Sequence, residues 1–212
     1  MKKVSIWMYT LVQPIASFLL KIVYQPKIIN KQIIPKEDRV ILAGNHKMML
    51  DPVLVSCGTR RLIHFLAKDV FFTGIRGFFM KRAGTLPVHS GKVHKDSFKS
   101  AIDILNQDKV VGIFPEGTRN YTQKQLLPFK RGAVTLAQET GSKIVPFAIY
   151  GRYLPFHGLR IEFGKPIDVA NMELKEAKQL LEDEVRKLLD KAEKEKAGKK
   201  WELDINHGQE KN

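Results

Sequence analysis

Arg39-Val40-Ile41-Leu42-Ala43-Gly44-Asn45-His46-Lys47-Met48-Met49-Leu50-Asp51-Pro52 carries a strand, a turn and the start of a helix in one short stretch. Arg39–Ala43 holds a continuous apolar run closed by Gly44-Asn45, the pattern of a buried strand. Asp51-Pro52 opens a helix expected to reach about Cys57, because Asp is a favoured N-cap and Pro a favoured first helical residue. The turn between them holds His46. Folding back from strand to helix brings Asp51 beside His46, so Asp51 is expected to cap the helix and orient the imidazole at once. The plainer reading is a cap and an unrelated loop histidine, since a His and an Asp at this separation are common.

The same alternation continues outward. Leu62–Ala67 reads as a strand, and Asp69–Arg82 as a helix with the apolar cluster Val70, Phe71, Phe72, Ile75, Phe78, Phe79 and Met80. That cluster suits a plain core, or the lining of an apolar groove. Thr85–Val88 is a short strand. Phe98, Ala101, Ile102 and Leu105 keep helical spacing, which predicts an amphipathic helix over Val93–Gln107. Val110–Phe114 is a strand, Arg131–Glu139 a helix capped by Gly141, and Lys143–Ile149 and Leu159–Phe163 are strands. Leu174, Ala177, Leu181, Val185, Leu188 and Ala192 mark a Lys/Glu-rich helix that packs on the domain and frays after about Ala197.

Strands alternating with helices predict an α/β fold, a single domain with a mostly parallel sheet flanked by helices. Residues 1–30 form an N-terminal helical segment, 31–200 the α/β domain and 201–212 a frayed tail. Ligands of such sheets gather at the carboxyl ends of the strands. His46 and Glu116 both fall there.

The net charge of +14 is uneven: residues 1–100 hold 17 Lys and Arg against 5 Asp and Glu. A basic half attracts anionic lipid headgroups, nucleic acid or acidic proteins. No zinc-finger or helix-turn-helix spacing stands out, nor any RNA-binding aromatic pattern, so nucleic acid is not the expected partner. One cysteine, Cys57, rules out an intrachain disulfide and reads as a small buried hydrophobe.

Residues 4–24 are mostly apolar and come after Lys2 and Lys3. The small-x-small cleavage site of a signal peptide is missing. The lysine-free run Val4–Leu20 falls short of the about 20 apolar residues a spanning helix needs, and Pro14 interrupts it. Lys3, Thr10, Gln13, Pro14, Ser17 and Lys21 form one narrow polar stripe. An amphipathic helix, or a helix pair split at Pro14, is expected to lie in an anionic membrane surface with its lysines at the headgroups. A helix packed on the domain's own core is the alternative. The expected location is the cytoplasmic face of the cell membrane, peripheral or monotopic.

A second run, Phe114-Pro115-Glu116-Gly117-Thr118-Arg119, comes directly after the strand at Val110. Arg119 suits bidentate phosphate binding. Gly117 allows close backbone approach, and Glu116 can accept a hydrogen bond from a substrate hydroxyl or from Arg119. The plainer reading is a turn with an incidental ion pair. A hydroxyl is a weak nucleophile at neutral pH. An imidazole whose far nitrogen faces a carboxylate is suited to take its proton.

Taken together, Asn45-His46 with Asp51, the Phe114–Arg119 run, Phe129-Lys130-Arg131-Gly132-Ala133 and Val145-Pro146-Phe147-Ala148-Ile149 resemble the glycerolipid acyltransferases, specifically the 1-acylglycerol-3-phosphate acyltransferase group. The resemblance runs from about residue 38 to 168. It implies transfer of an acyl group from a thioester, acyl-CoA or acyl-ACP as co-substrate, to the 2-hydroxyl of a lysophosphatidate. It implies His46 as general base and Asp51 as its partner. Glu116, Gly117 and Arg119 are implied to bind the acceptor's glycerol and phosphate, with Asn45, Thr118 and Lys130 completing the substrate-binding set. Pro146 is implied on the acyl-donor side. No metal and no further cofactor is implied. One position departs from the family: Ser90 stands where an Arg is usual in Gly84-Thr85-Leu86-Pro87-Val88-His89-Ser90-Gly91, and Lys92 is the nearest substitute. An acceptor with a different headgroup therefore stays open, and a non-catalytic basic lipid-binding protein that keeps the fold is the alternative from another class.

Overall fold

The computed structural model describes residues 7–74, 77, 80, 84–88 and 95–209. The chain order is α1 (Trp7–Tyr24), β1 (Lys27–Ile29), β2 (Val40–Gly44), α2 (Asp51–Ser56), β3 (Ile63–Lys68), β4 (Leu86–Val88), α3 (Lys95–Leu105), β5 (Val110–Ile113), α4 (Gly132–Thr140), β6 (Lys143–Tyr150), β7 (Arg160–Phe163) and α5 (Leu174–Gln209). The seven strands make one sheet in the order β1-β7-β6-β2-β5-β3-β4. Every neighbouring pair is parallel except β6 and β7.

β2 lies between β5 and β6, pairing Ala43 with Ile113 on one side and with Pro146 on the other. All five of its residues are buried, which is why it reads as an unbroken apolar run rather than an alternating one. Its side chains still alternate in direction. Ile41 and Ala43 join a core with Val111, Ile144, Val134 and Leu181, under α3, α4 and α5. Val40 and Leu42 join a second core with Leu54, Val145, Phe147 and Leu20, under α1 and α2. Helices thus cover both faces, and the carboxyl ends of β2 and β5 lie side by side.

Four expectations change. The N-terminal segment is not purely helical up to residue 30: Lys27–Ile29 pairs in parallel with Arg160–Glu162 as an edge strand, too short to show a period in sequence. Pro14 does not divide the first helix, which runs through it from Trp7 to Tyr24. The Asp69–Arg82 helix begins instead with a short 3₁₀ turn, Asp69–Phe72, and most of residues 73–82 lie outside the described residues. The last helix continues to Gln209, past Ala197. Its composition, rich in Ala, Leu, Lys and Glu, favours helix even where no apolar stripe continues.

The orientation of α1 also departs from expectation. Ser17 and Leu20 are buried and Tyr24 packs on the second core. Gln13 Nε2 donates to Ser56 O at 3.3 Å and to Ser17 Oγ at 3.2 Å. Gln13 and Ser17 of the polar stripe therefore face α2, whereas Pro14 and Lys21 are exposed. The exposed side carries Val12, Ile15, Phe18, Leu19, Ile22 and Val23, each more than 40% accessible. No described helix is long and apolar enough to cross a membrane.

Candidate active site

The strand-turn-helix segment closes as its residue types require. His46 Nδ1 lies 2.7 Å from Asp51 Oδ2. The same oxygen accepts from Lys47 N at 2.6 Å and Met48 N at 2.8 Å. Asp51 is the first residue of α2, and Leu50 occupies the cap position without a side-chain bond. Contrary to expectation, Asp51 therefore does not cap the helix. Its carboxylate reaches back to the N–H groups of the preceding turn.

Two peptide donors and the ring on one oxygen make Asp51 an acceptor, so His46 carries its proton on Nδ1. His46 Nε2 has no hydrogen-bond partner among the described residues. The side chain of His46 is 19% exposed, whereas that of Asp51 is fully buried. Phe114 stacks on the imidazole with ring centroids 4.1 Å apart and planes 17° apart. Phe114 is itself backed by Phe65 and Phe147. The ring of His46 is thus fixed in plane, in tautomer and in direction, with a free lone pair on its open side.

Its backbone is fixed as well. His46 N donates to Glu116 Oε1 at 2.7 Å, and Leu127 N donates to Oε2 at 3.1 Å. Asn120 N donates to His46 O at 2.8 Å. Glu116 is 4% exposed. Burial pushes its pKa up, the two peptide N–H groups and His46 pull it down, and Asp51 adds to the rise. Glu116, expected at the acceptor, ties the His46 turn through Oε1 to the Leu127 peptide on Oε2. Asn45, also expected at the substrate, is 2% exposed. Its amide donates to Ile149 O at 2.9 Å and accepts from Ile149 N at 2.7 Å. It extends the pairing of β2 with β6 where the backbone turns away.

The other residues of the second run that were expected at the substrate stay on the surface. Gly117 has φ of +68°, and a Cβ there would lie 2.6 Å from Lys130 Nζ. Only glycine leaves room for that lysine to cross the turn. Lys130 N also donates to Pro115 O at 2.8 Å. Arg119 lies over the Tyr121 ring, 5.2 Å from its centroid, and Thr118 is exposed. Arg119 and Lys130 thus stand on the loop joined to His46 through Asn120 and Glu116. Pro146 is buried in β6 opposite Ala43, within van der Waals reach of Gly164. Lys92, with His89 and Ser90, lies outside the described residues.

Two residues that the sequence did not single out join this constellation. Lys47 Nζ donates to Gly151 O at 3.0 Å, and burial lowers its pKa against the pull of Asp51. Tyr153 OH donates to Asp51 Oδ1 at 2.5 Å. Both contacts cross about a hundred positions of sequence, and no local pattern announces them.

A hydrogen-bonded imidazole with a free nitrogen can accept a proton from a bound hydroxyl. A nearby Arg and Lys can hold an anionic group of the same molecule. The chain is 34% identical over 127 residues to the 1-acyl-sn-glycerol-3-phosphate acyltransferase of Bacillus subtilis, covering 59% of this chain and 62% of that protein. It is 28% identical over 126 residues to the enzyme of the same name from Borreliella burgdorferi, covering 55% and 48%. The match therefore spans about half the length of these relatives. In fold it resembles the crystal structure of the LPA acyltransferase PlsC from Thermotoga maritima, with a TM-score of 0.71 at 19% identity over 88% of this chain and 80% of that one. The profile of the family described as Acyltransferase matches residues 25–150, from the edge strand β1 to the end of β6 and across His46, Asp51, Glu116, Arg119 and Lys130, and the chain belongs to that family.

Proposed function

We propose that this protein moves a fatty acyl group from an acyl thioester to the 2-hydroxyl of 1-acylglycerol-3-phosphate, giving phosphatidate. The observation that carries the reading is the His46–Asp51 pair with Nε2 unused, beside a loop that presents Arg119 and Lys130. In the reaction, Nε2 of His46 takes the proton of the glycerol hydroxyl as its oxygen attacks the thioester carbonyl. Asp51 stabilises the imidazolium that forms. Collapse of the tetrahedral adduct expels the thiolate, which takes the proton from His46. Arg119 and Lys130 hold the acceptor's phosphate, with Gly117 keeping the approach open and Thr118 on its rim; Lys92 and Pro146 keep their implied roles at the acceptor and the donor side. The donor is an acyl-CoA or an acyl carrier protein.

The exposed apolar side of α1 supports docking on the cytoplasmic leaflet of a membrane, where acceptor and product reside. Met48 and Met49, 41% and 70% exposed, extend apolar surface to the turn that holds His46.

The test is a panel of lysophospholipids in vesicles, offered with each donor to the purified full chain, with products identified by mass. Phosphatidate is expected from 1-acylglycerol-3-phosphate. His46→Ala is expected to lower turnover by about 10²–10⁴-fold while leaving the fold intact. Comparable turnover by His46→Ala removes the general-base reading. Product from another lysophospholipid alone reassigns the acceptor, as the Ser90 departure allows.

A further inference from the structure

We propose that Tyr153 is a positioning residue for the catalytic dyad, one that sets how strongly Asp51 holds His46 by donating its hydroxyl to the far oxygen of that carboxylate. The inference rests on the acyl-transfer reading above and deepens it.

Tyr153 sits in the loop that joins β6 to β7. Every other residue from Gly151 to Gly158 is exposed, and Tyr153 is not. Its ring turns inward and meets Tyr24 edge to face, with centroids 5.6 Å apart and planes at 79°. Tyr24 is the last residue of α1. The loop is held from a second direction by Lys47, which donates to Gly151 O. Gly151 has φ of +86° and packs its α-carbon on the backbone of Gly158, so the loop closes tightly behind the tyrosine.

The polar end of this half-buried ring has one partner. Asp51 Oδ2 receives His46 Nδ1, Lys47 N and Met48 N, whereas Oδ1 receives only Tyr153 among the described residues. Asp51 is 0% exposed, so no water replaces a lost donor at Oδ1 without rearrangement. The phenol draws the carboxylate charge toward Oδ1; without that donor the charge shifts back to Oδ2, the oxygen that holds His46. The phenol is a lasting donor, since burial and the charge of Asp51 both push its pKa upward.

The charged and titratable groups around the dyad are Lys47 on the same turn, Glu116 on the neighbouring loop, and Tyr24 and Cys57 behind Tyr153. None of these donates a side-chain hydrogen bond to Asp51, whose side-chain donors among the described residues are His46 and Tyr153. Removing the phenol hydroxyl therefore strengthens the hold of Asp51 on protonated imidazole. The base is freed only at higher pH, and its ring is less firmly placed.

The experiment compares wild type and Tyr153→Phe in steady-state acyl transfer across pH 5.5 to 9, with thermal melting as a check on folding. The expected result is a kcat about tenfold lower, a KM for the acceptor within about twofold, and an acid limb of kcat/KM moved to higher pH. A merely structural role lowers stability and leaves that limb in place. If Tyr153→Phe does not fold, site-specific 3-fluorotyrosine at position 153 keeps ring and hydroxyl and donates more strongly. It is then expected to move the acid limb to lower pH. An unshifted limb in the folded variant overturns the proposal. Wild type without acyl transfer overturns the functional reading instead, so the two failures are distinct.

Discussion

Glu116 is a carboxylate almost without access to water, with one peptide N–H on each oxygen. That geometry ties the residue type to the placement of the His46 turn. Glutamine at 116 keeps the shape but turns an NH₂ toward one of the two N–H groups, leaving a buried donor unpaired at a cost of about 1–3 kcal/mol. Glu116→Gln is expected to lower the melting temperature by about 2–4 °C per kcal/mol and to lower kcat about tenfold through the loosened His46 turn. A loss confined to the acceptor's KM, with unchanged melting, would place Glu116 at the substrate instead. The sequence made the residue visible and hid its role. His46 and Asp51 were legible because their contact is local, closed by one turn. Glu116 and Asn45 were legible as chemistry, yet both bond backbone groups from elsewhere in the chain, the Leu127 and Ile149 peptides among them. Tyr153 had no local signal at all, since its acceptor lies 102 positions upstream.

At the scale of elements, α1 shows why a helical stripe identifies two faces without saying which points inward. Gln13 and Ser17 are polar, and in a free amphipathic helix they face water. Here they bond Ser56 and each other, so α2 takes this polar pair and an apolar face is left outside. Satisfying buried polar groups decides the orientation: a helix turned round would strand the Ser56 carbonyl against apolar side chains. The outward face presents Phe18 and Ile22, 62% and 55% exposed, with Lys21 between them. Burying each such side chain in a bilayer is worth about 1.5–3 kcal/mol when complete. Phe18→Ser with Ile22→Ser is expected to weaken partition onto anionic vesicles by roughly 10²-fold or more, measured by sedimentation, with melting unchanged. Equal partition of the double variant would mean that another surface does the docking. The central strands β2, β5 and β6 were legible for the opposite reason. Burial on both faces makes them unbroken apolar runs bounded by turn residues, and nothing competes with that reading. Edge strand β1 lacks both signals.

The whole molecule places a titrating group where the sheet is thinly held. His64 lies on β3, which pairs with β5 on one side and with the short β4 on the other. It is 8% exposed. Its Nδ1 donates to Gly84 O at 2.8 Å, and Nε2 has no partner among the described residues. Burial lowers its pKa below the usual 6.5, and Lys109 lowers it further, while the Gly84 carbonyl opposes them. The folded chain thus resists a proton that the unfolded chain accepts. Between 6.5 and the lower folded value the unfolded state binds more protons, so stability rises with pH and is lost as pH falls through this window. Glu116 acts with the opposite sign. Its pKa is raised above 4.5, so its burial costs stability as pH climbs past that value. His64→Gln keeps a donor for Gly84 O and removes the titration. Melting temperatures at pH 7.5, 6.5 and 5.5 are expected to fall more steeply for wild type than for His64→Gln. One proton bounds the difference at about 1.4 kcal/mol per pH unit, or roughly 3–5 °C in a chain of this size. Parallel curves would assign the acid sensitivity to the surface charge of +14, whose self-repulsion grows on protonation everywhere at once. A difference confined to this window instead ties acid sensitivity to the β3–β4 edge of the sheet, two strands away from the His46 turn.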